Sequence, residues 1–301
     1  MTVLPDYTTI LTPLGVTVRL NEPLARYTAA RLGGAADALV VVESADFFER
    51  VARAAWAAGW QTRILGGGAN VLVRDEGVRG LVIINDAKAI SIDPSGVVTV
   101  ESGFGLISLA RQTMTQGLGG FEWAINVPGT VGGGVVNNAG AHGGDMAGCL
   151  LWAEVAEPES PARRWMADDL AYRYRESALK HRQPPFAVLR AALRLTPGAD
   201  PTALLATAEG YTAHRKRTQP PGASLGSMFK NPPGDYAGRL IEAAGLKGTQ
   251  IGGVIISPLH GNFFVNTGGG TAADYLGLVR LAQESVRAQF GVDLELEVEV
   301  I

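Results

Sequence analysis

One cysteine, Cys149, is all that 301 residues contain. That excludes a disulfide framework within the chain and any metal centre built from several thiolates, so no metal is expected. It also fits a reducing, cytoplasmic setting. No stretch reaches the roughly 18 successive apolar residues of a membrane-spanning helix. The opening MTVLPDYTTILTPLG has neither a basic leader nor a long apolar centre, so no secretory signal is expected. One-sided charge is missing too: 26 Lys and Arg stand against 29 Asp and Glu, a net charge of −3. Nucleic acid is therefore not an expected partner, and no run of like charge marks a tail. No internal repeat is visible, and nothing in the sequence points to an obligatory protein partner.

Glycine is in surplus, at 39 of 301 residues, roughly twice the usual share. The glycines are clustered, which marks places where backbone must come close to something. Between the clusters, residues 37–42 (DALVVV) read as a buried strand. Ser44 then caps a helix whose apolar face is Phe48, Val51, Ala52 and Ala55, with Gly59 at its end. Strands are expected at 63–65, 71–73, 81–84 and 97–100, a helix over 106–116, and strands at 152–156 and 186–195. Residues 119–145 read as a long loop without regular structure. TPGADP (196–201) is the linker, after which Asp200 and Pro201 open a helix. Beyond it come a helix from Tyr236 to Ala244 capped by Asp235, strands at 253–257 and 263–266, and a helix from Thr271 to Phe290. The closing VDLELEVEVI alternates strictly, with Val292, Leu294, Leu296, Val298 and Val300 on one face and Asp293, Glu295, Glu297 and Glu299 on the other, as one strand would. Strands and helices mix without a βαβ rhythm. The fold class is α+β, divided at 1–90, 91–197 and 198–301.

Five segments could carry chemistry. ILGGGANVLVRD (64–75) leads a strand into three glycines and Asn70. Backbone N–H groups there could converge on a phosphate, or the segment could be a plain hairpin turn. No helix follows with dinucleotide spacing, and no Lys-Ser/Thr pair ends a P-loop. VPGTVGGGVVNNAGAHGGD (127–145) leaves room for something large and flat to press on the backbone, with Thr130, Asn137 and Asn138 as hydrogen-bonding groups. Together the two clusters suggest one ligand with a diphosphate and a ring system. YRYRESALKHR (172–182) offers arginines that could clamp a carboxylate, or it is a charged surface helix. In SLGSMFKNPPG (224–234), Ser227 has no histidine nearby in sequence, though His214 and His260 leave a triad open. The same serine could act as a general acid beside Lys230. The acidic face of the last strand could be idle, solvated charge.

Taken together, RLGGAADALVV, LGGGANVLVRDEGVRGLVI, GLGGFEWAINVPGTVGGGVVNNAGAHG, YRYRES, GSMFKNP, EAAGLKGTQIGGVIIS, HGNFFVN and LELEV resemble, in order and over nearly the whole chain, the UDP-N-acetylenolpyruvoylglucosamine reductase family. The resemblance implies a vanillyl-alcohol-oxidase-type (PCMH-type) FAD-binding domain of two α+β subdomains (1–90 and 91–197), and a substrate-binding domain (198–301). It implies a non-covalent FAD, NADPH as hydride donor, and an enolpyruvyl-UDP-sugar reduced to UDP-N-acetylmuramate for peptidoglycan synthesis. FAD contacts would come from Gly66, Gly67, Gly68, Ala69, Asn70 and Val71, and from Gly129, Thr130, Gly132, Gly133, Asn137, Ala139 and Gly140. Hydride would pass from NADPH to flavin N5 and then to substrate C3. By motif, Arg175 and Glu297 would stabilise the charge that builds on the enolpyruvyl carboxylate, the glutamate protonated or hydrogen-bonding. Ser227 would protonate C2, and Tyr174, Lys230 and Asn231 would contact substrate, Asn231 near its diphosphate. The spacing between Arg175 and Ser227 resembles the shorter form of the family, without the inserted tyrosine loop. Departures are Asn126 for a glycine, His142 for an aromatic, Leu179 for a phenylalanine, and Glu299 where an arginine is common. A flavin- or nucleotide-binding module without catalysis and a sugar or aldonolactone oxidase on the same fold are the other readings, and no strong covalent flavin-attachment signature is seen.

Overall fold

The computed structural model describes residues 5–183 and 185–301. The first four residues of the stretch inspected for a signal lie outside them. The mix of elements is α+β, as expected. Packing divides the chain into two units that are not contiguous in sequence. One holds everything described up to Asn21, Asp37–Gly67 and Arg79–Ala213, and the other holds Glu22–Ala36, Gly68–Val78 and His214–Ile301. Cuts at 90/91 and 197/198 therefore miss two excursions, 22–36 and 68–78. They belong with the last third because Leu32 and Leu72 bury in its core.

The first unit has two cores. In one, α1 (Tyr7–Leu11) and α2 (Ala45–Ala57) pack on a sheet that includes Ala35–Val42, Val78–Asn85 and Thr62–Leu65. The Ser44 hydroxyl accepts from Phe47 N–H at 3.3 Å, and Phe48, Val51, Ala52 and Ala55 are fully buried, as their spacing requires. In the other, α3 (Leu106–Thr115) packs on a five-stranded antiparallel sheet ordered Ser160–Met166, Leu150–Glu157, Ala187–Arg194, Val97–Glu101, Ile90–Ile92. The buried carboxylate of Glu101 joins them: it accepts from Ala45 N–H at the start of α2 and from Ala89 N–H, both at 2.8 Å. A carboxylate at a helix N-terminus satisfies amides that have no partner within the helix.

Several elements differ from the sequence reading. Residues 119–145 hold a 3-10 turn (Glu122–Asn126), the short helix α4 (Val131–Asn137) and a hairpin of Gly140–Ala141 with Gly144–Asp145. Glycine is a poor helix former, yet here small size decides: a Cβ on Gly134 would lie 2.9 Å from Met146 Cε, and one on Gly132 3.1 Å from Ser102 Cβ. TPGADP is no domain boundary. Thr196 bridges Gly119, and α5 (Pro201–Thr218) stays with the first unit as far as Ala213.

The second unit is a four-stranded antiparallel sheet, ordered Ala223–Ser227, Phe263–Asn266, Val254–Ile256, Gln250–Ile251, with α6 (Ala237–Ala243) and α7 (Ala272–Phe290). The cap of α6 is not Asp235. Asn231 Oδ1 accepts from Ala237 N–H at 3.1 Å, while Asp235 binds Tyr236 N–H and the Arg239 guanidinium. Of the closing segment only Glu299–Val300 is strand, parallel to Val71–Leu72, with Leu296 bridging Phe229. Its alternation is still real: Leu294 and Val298 are buried among the core residues.

The start of α7 is tied twice. Thr271 Oγ1 accepts from Asp274 N–H (3.1 Å) and Asp274 Oδ2 from Thr271 N–H (3.0 Å), a capping box. The carboxylate of Asp75 accepts from Ala272 N–H (2.8 Å) and Ala273 N–H (2.9 Å). The Thr271 amide above all holds the Asp274 carboxyl below its ordinary range. A carboxylate with a lowered folded pKa gives stability that is complete above its unfolded value, near 3.9, and is lost as pH falls through the folded one. Asp274→Asn should therefore lower the urea midpoint at neutral pH, and the gap to wild type should close as pH falls below about 4. A gap that stays constant with pH would remove the carboxylate from the account.

Candidate functional site

In the first unit the two glycine clusters lie against each other. A Cβ on Gly66 would sit 2.2 Å from Thr130 Oγ1 and 3.1 Å from Thr130 Cβ, and one on Gly67 3.1 Å from Gly129 Cα. Gly129 itself has φ +108°, the left-handed side that glycine alone adopts cheaply. Where these backbones meet, a cavity of about 450 Å³ opens, lined by Gly66, Gly67, Gly129 and Thr130 and also by Asn85, Lys88, Gly103, Phe104 and Ser108. That size suits a small-molecule ligand. Its floor is rigid: Asn85 Nδ2 donates to Ser102 Oγ at 2.7 Å, and Ser102 Oγ donates to Val188 O at 2.5 Å.

The other glycine-cluster residues fall elsewhere. Gly132 N–H is spent on Ser102 O, Gly133 O accepts from Asn137 Nδ2, and Ala139 N–H donates to Gly134 O. Gly140 pairs with Asp145. Gly68, Ala69, Asn70 and Val71 belong to the second unit. There Gly68 presses on Tyr27 O, while Asn70 Nδ2 donates to Glu297 O at 3.0 Å and Val71 pairs with Glu299. Asn70 thus anchors the segment that carries Glu297.

YRYRES is not a helix. Arg173 and Glu176 exchange backbone hydrogen bonds at 3.1 Å, leaving Tyr174 and Arg175 at the tip of a turn. The turn hangs from the end of α4, whose last carbonyls lack helical partners. Tyr172 Oη donates to Val135 O (2.9 Å), Ser177 Oγ to Val136 O (2.6 Å), and Asn138 Nδ2 to Arg173 O (3.0 Å). Burial pushes the Tyr172 phenol well up, so it stays a donor. Arg175 Nη2 donates to Gly140 O at 2.9 Å, and Tyr174 is exposed beside it. Two residues that depart from the family pattern both meet α5: His142 stacks on Tyr211 with ring centroids 4.0 Å apart, and Asn126 Nδ2 donates to Thr212 Oγ1 at 3.0 Å.

In the second unit, Ser227 ends the strand Ala223–Ser227 on a bulge. Ser224 pairs with Val265 and Ser227 with Phe263, three steps against two, and Gly226 takes φ +76°. A bulge re-aims the side chain that follows it, which is why glycine precedes this serine. Gly222–Gly226 (GASLG) does spell G-x-S-x-G, but Ser224 lies within an antiparallel ladder, not at a strand-to-helix elbow. After Ser227 the chain is held on both sides. Met228 O accepts from Glu297 N–H (2.9 Å), and Lys230 N–H donates to Glu295 O (2.9 Å). Ser227 and Glu297 are thus one residue apart across adjacent backbones. Lys230 Nζ ion-pairs with Glu295 at 2.6 Å, and Asn231 caps α6.

Sequence reading missed Asn262. It is buried, its Oδ1 accepts from Phe229 N–H (2.9 Å), and its Nδ2 donates to Phe229 O (2.8 Å). A side-chain amide copying a strand partner leaves no periodic signal. Asn262→Ala should strand both Phe229 groups and cost about 3 kcal/mol, read from a denaturant midpoint. A loss within experimental error would mean the segment is held by its other neighbours.

Comparisons with known proteins agree across the chain. Residues 218–301 match the family described as UDP-N-acetylenolpyruvoylglucosamine reductase, C-terminal domain, and 36–160 match the FAD binding domain. The chain is 44% identical over 297 residues to the UDP-N-acetylenolpyruvoylglucosamine reductase of Chloroflexus aggregans, covering 96% of this chain and 99% of that one. It is 45% identical over 284 residues to that of Rubrobacter xylanophilus, covering 94% and 95%. The crystal structure of UDP-N-acetylenolpyruvylglucosamine reductase from Thermus caldophilus superposes with a TM-score of 0.80 at 37% identity, covering 95% and 98%.

Proposed function

We propose a function from this premise: the chain belongs to the UDP-N-acetylenolpyruvoylglucosamine reductase family. Its fold is accordingly α+β with a PCMH-type FAD domain, and it is an FAD-dependent oxidoreductase. The reaction is reduction of the enolpyruvyl group of UDP-N-acetylglucosamine enolpyruvate to UDP-N-acetylmuramate, with NADPH as the electron source, in the cytoplasm. The observation that carries this reading is identity above 40% over nearly the full length of both chains.

The residues present fit the cofactor. Glycine walls that a Cβ would fill let backbone approach a diphosphate, and Gly66, Gly67, Gly129 and Thr130 are the residues that would hold it. Bound flavin supplies the chemistry that no side chain has, taking a hydride from NADPH and delivering one to carbon.

The chain's own residues handle charge and the proton. Addition of hydride at C3 of the vinyl ether leaves the electron pair at C2, delocalised into the carboxylate. Arg175 and Glu297 are assigned to stabilise that charge. Ser227 Oγ gives its proton to C2, completing the lactyl ether, and solvent reprotonates the serine. A bulge that fixes the Ser227 backbone and a ladder that fixes Glu297 beside it support these roles. Tyr174 and Lys230 are assigned to the substrate. Asn231 is assigned to the substrate near its diphosphate, and its capping bond to Ala237 gives it a structural task as well.

Two measurements test the reading. Ser227→Ala should keep normal flavin reduction by NADPH, but slow reduction of the enolpyruvyl-UDP-sugar roughly 100- to 10,000-fold. A normal second half-reaction would remove Ser227 as the proton donor. Gly67→Ala should push the two glycine loops apart and leave a folded protein that has lost most of its yellow flavin band. Retention of one flavin per chain would mean that the cradle lies elsewhere.

A further inference from the structure

The turn that carries Arg175 has an unusual backbone. Arg175 sits at φ +57° while Tyr174 before it does not share that region. This is the third position of a tight turn, where glycine or asparagine is the ordinary occupant. A long side chain persists there only if its surroundings over-determine the conformation.

Some of what holds it belongs to the turn's frame: the Arg173–Glu176 exchange and the bond from Asn138 to Arg173 O. The carbonyl of Arg175 has a separate holder. Lys180 Nζ donates to Arg175 O at 2.8 Å and stands 3.8 Å from the Glu176 carboxylate, with its side chain only 19% exposed. Nothing in the family resemblance assigned Lys180 a task. An ammonium that sheds most of its water to hold one carbonyl is costly unless it is paired, and Glu176 supplies the pairing charge.

We propose that Lys180 is a positioning residue for Arg175. By fixing the Arg175 carbonyl it holds ψ of that residue, and with it the left-handed pair of angles that sets the direction in which the Cα–Cβ bond leaves the backbone. The inference rests on the assignment of Arg175 to the enolpyruvyl carboxylate. Without the ammonium, that peptide keeps only the Glu176 N–H bond to Arg173 O, ψ of Arg175 is free to drift from the left-handed region that a substituted residue disfavours, and the guanidinium shifts from its bond to Gly140 O. A displacement of this size matters because charge stabilisation demands alignment to within about 1 Å.

The test uses the flavin-loaded full-length chain reduced by NADPH, then mixed rapidly with the enolpyruvyl-UDP-sugar. Lys180→Met keeps the stem and deletes the ammonium. It should slow this half-reaction about 10- to 100-fold, with flavin content and the rate of reduction by NADPH unchanged. Lys180→Arg should restore most of the rate. In an Arg175→Ala background, Lys180→Met should add nothing, since the residue it positions is gone. Should Lys180→Met not accumulate folded, Lys180→Gln is read by the same criteria. Wild-type rates in the lysine variant, together with a slow Arg175→Ala, would overturn the inference alone. So would a full further loss in the double variant, or equal slowing of both half-reactions, either of which marks a merely structural lysine. A normal rate in Arg175→Ala would overturn the assignment of Arg175 and this inference with it.

Discussion

Two loops lie so close together that a side chain added between them would be crowded. Where residues 66–67 meet 129–130, a methyl group on Gly66 would run into the Thr130 side chain and one on Gly67 would press on Gly129 Cα, and the cavity opens at that approach. The constraint explains part of the composition. Glycine costs order in the unfolded chain and weakens helices, yet it recurs wherever main chain meets main chain. Gly68 presses on Tyr27, Gly34 on Asp75 and Gly253 on Gly270. Part of the glycine surplus is thus a set of contacts that permit no Cβ, while others, such as Gly226 and Gly291, meet nothing and serve a positive φ.

The second organising device is borrowed hydrogen bonding. Side chains repeatedly stand in for missing backbone partners. Glu101 serves the start of α2, Asp75 and Thr271 serve the start of α7, Tyr172 and Ser177 serve the end of α4, and Asn262 serves Phe229. Each satisfies a group whose exposure within a core would be expensive. Both catalytic assignments in the second unit stand next to such a bond, since Ser227 precedes the strip held by Asn262 and Glu297 lies on the segment tied by Asn70.

What could be read from the sequence follows from this. Periodic elements were legible: the face of α2, the cap at Ser44, the start of α7 at Thr271, and the buried alternation of the last segment. The glycine clusters announced a close approach. α4 was not legible, because packing overrides the poor helix propensity of VGGGVVN. The turn at Arg175 was not legible either, since no rule puts an arginine at positive φ. Asp75, Asn138 and Asn262 act over separations that local patterns cannot carry. The packing units differ from the sequence cuts for the same reason: residues 22–36 and 68–78 find core partners more than a hundred residues later.

That last separation bears on how the chain is made. Leu32 and Leu72 bury against side chains between Leu225 and Val298, and Asp75 closes on amides of Ala272 and Ala273. At ribosomal rates of about 5–20 residues per second, the two early segments wait roughly 10–40 seconds for those partners. During that wait the second unit has no core, whereas the second core of the first unit, from Val98 to Ala208, is a continuous stretch that can close as it emerges. The protein is therefore built with one half as a template and the other as a late closure, and a chain truncated before α7 would leave Leu32, Leu72 and the exit of the glycine loop exposed to the chaperones and proteases that patrol unfinished proteins.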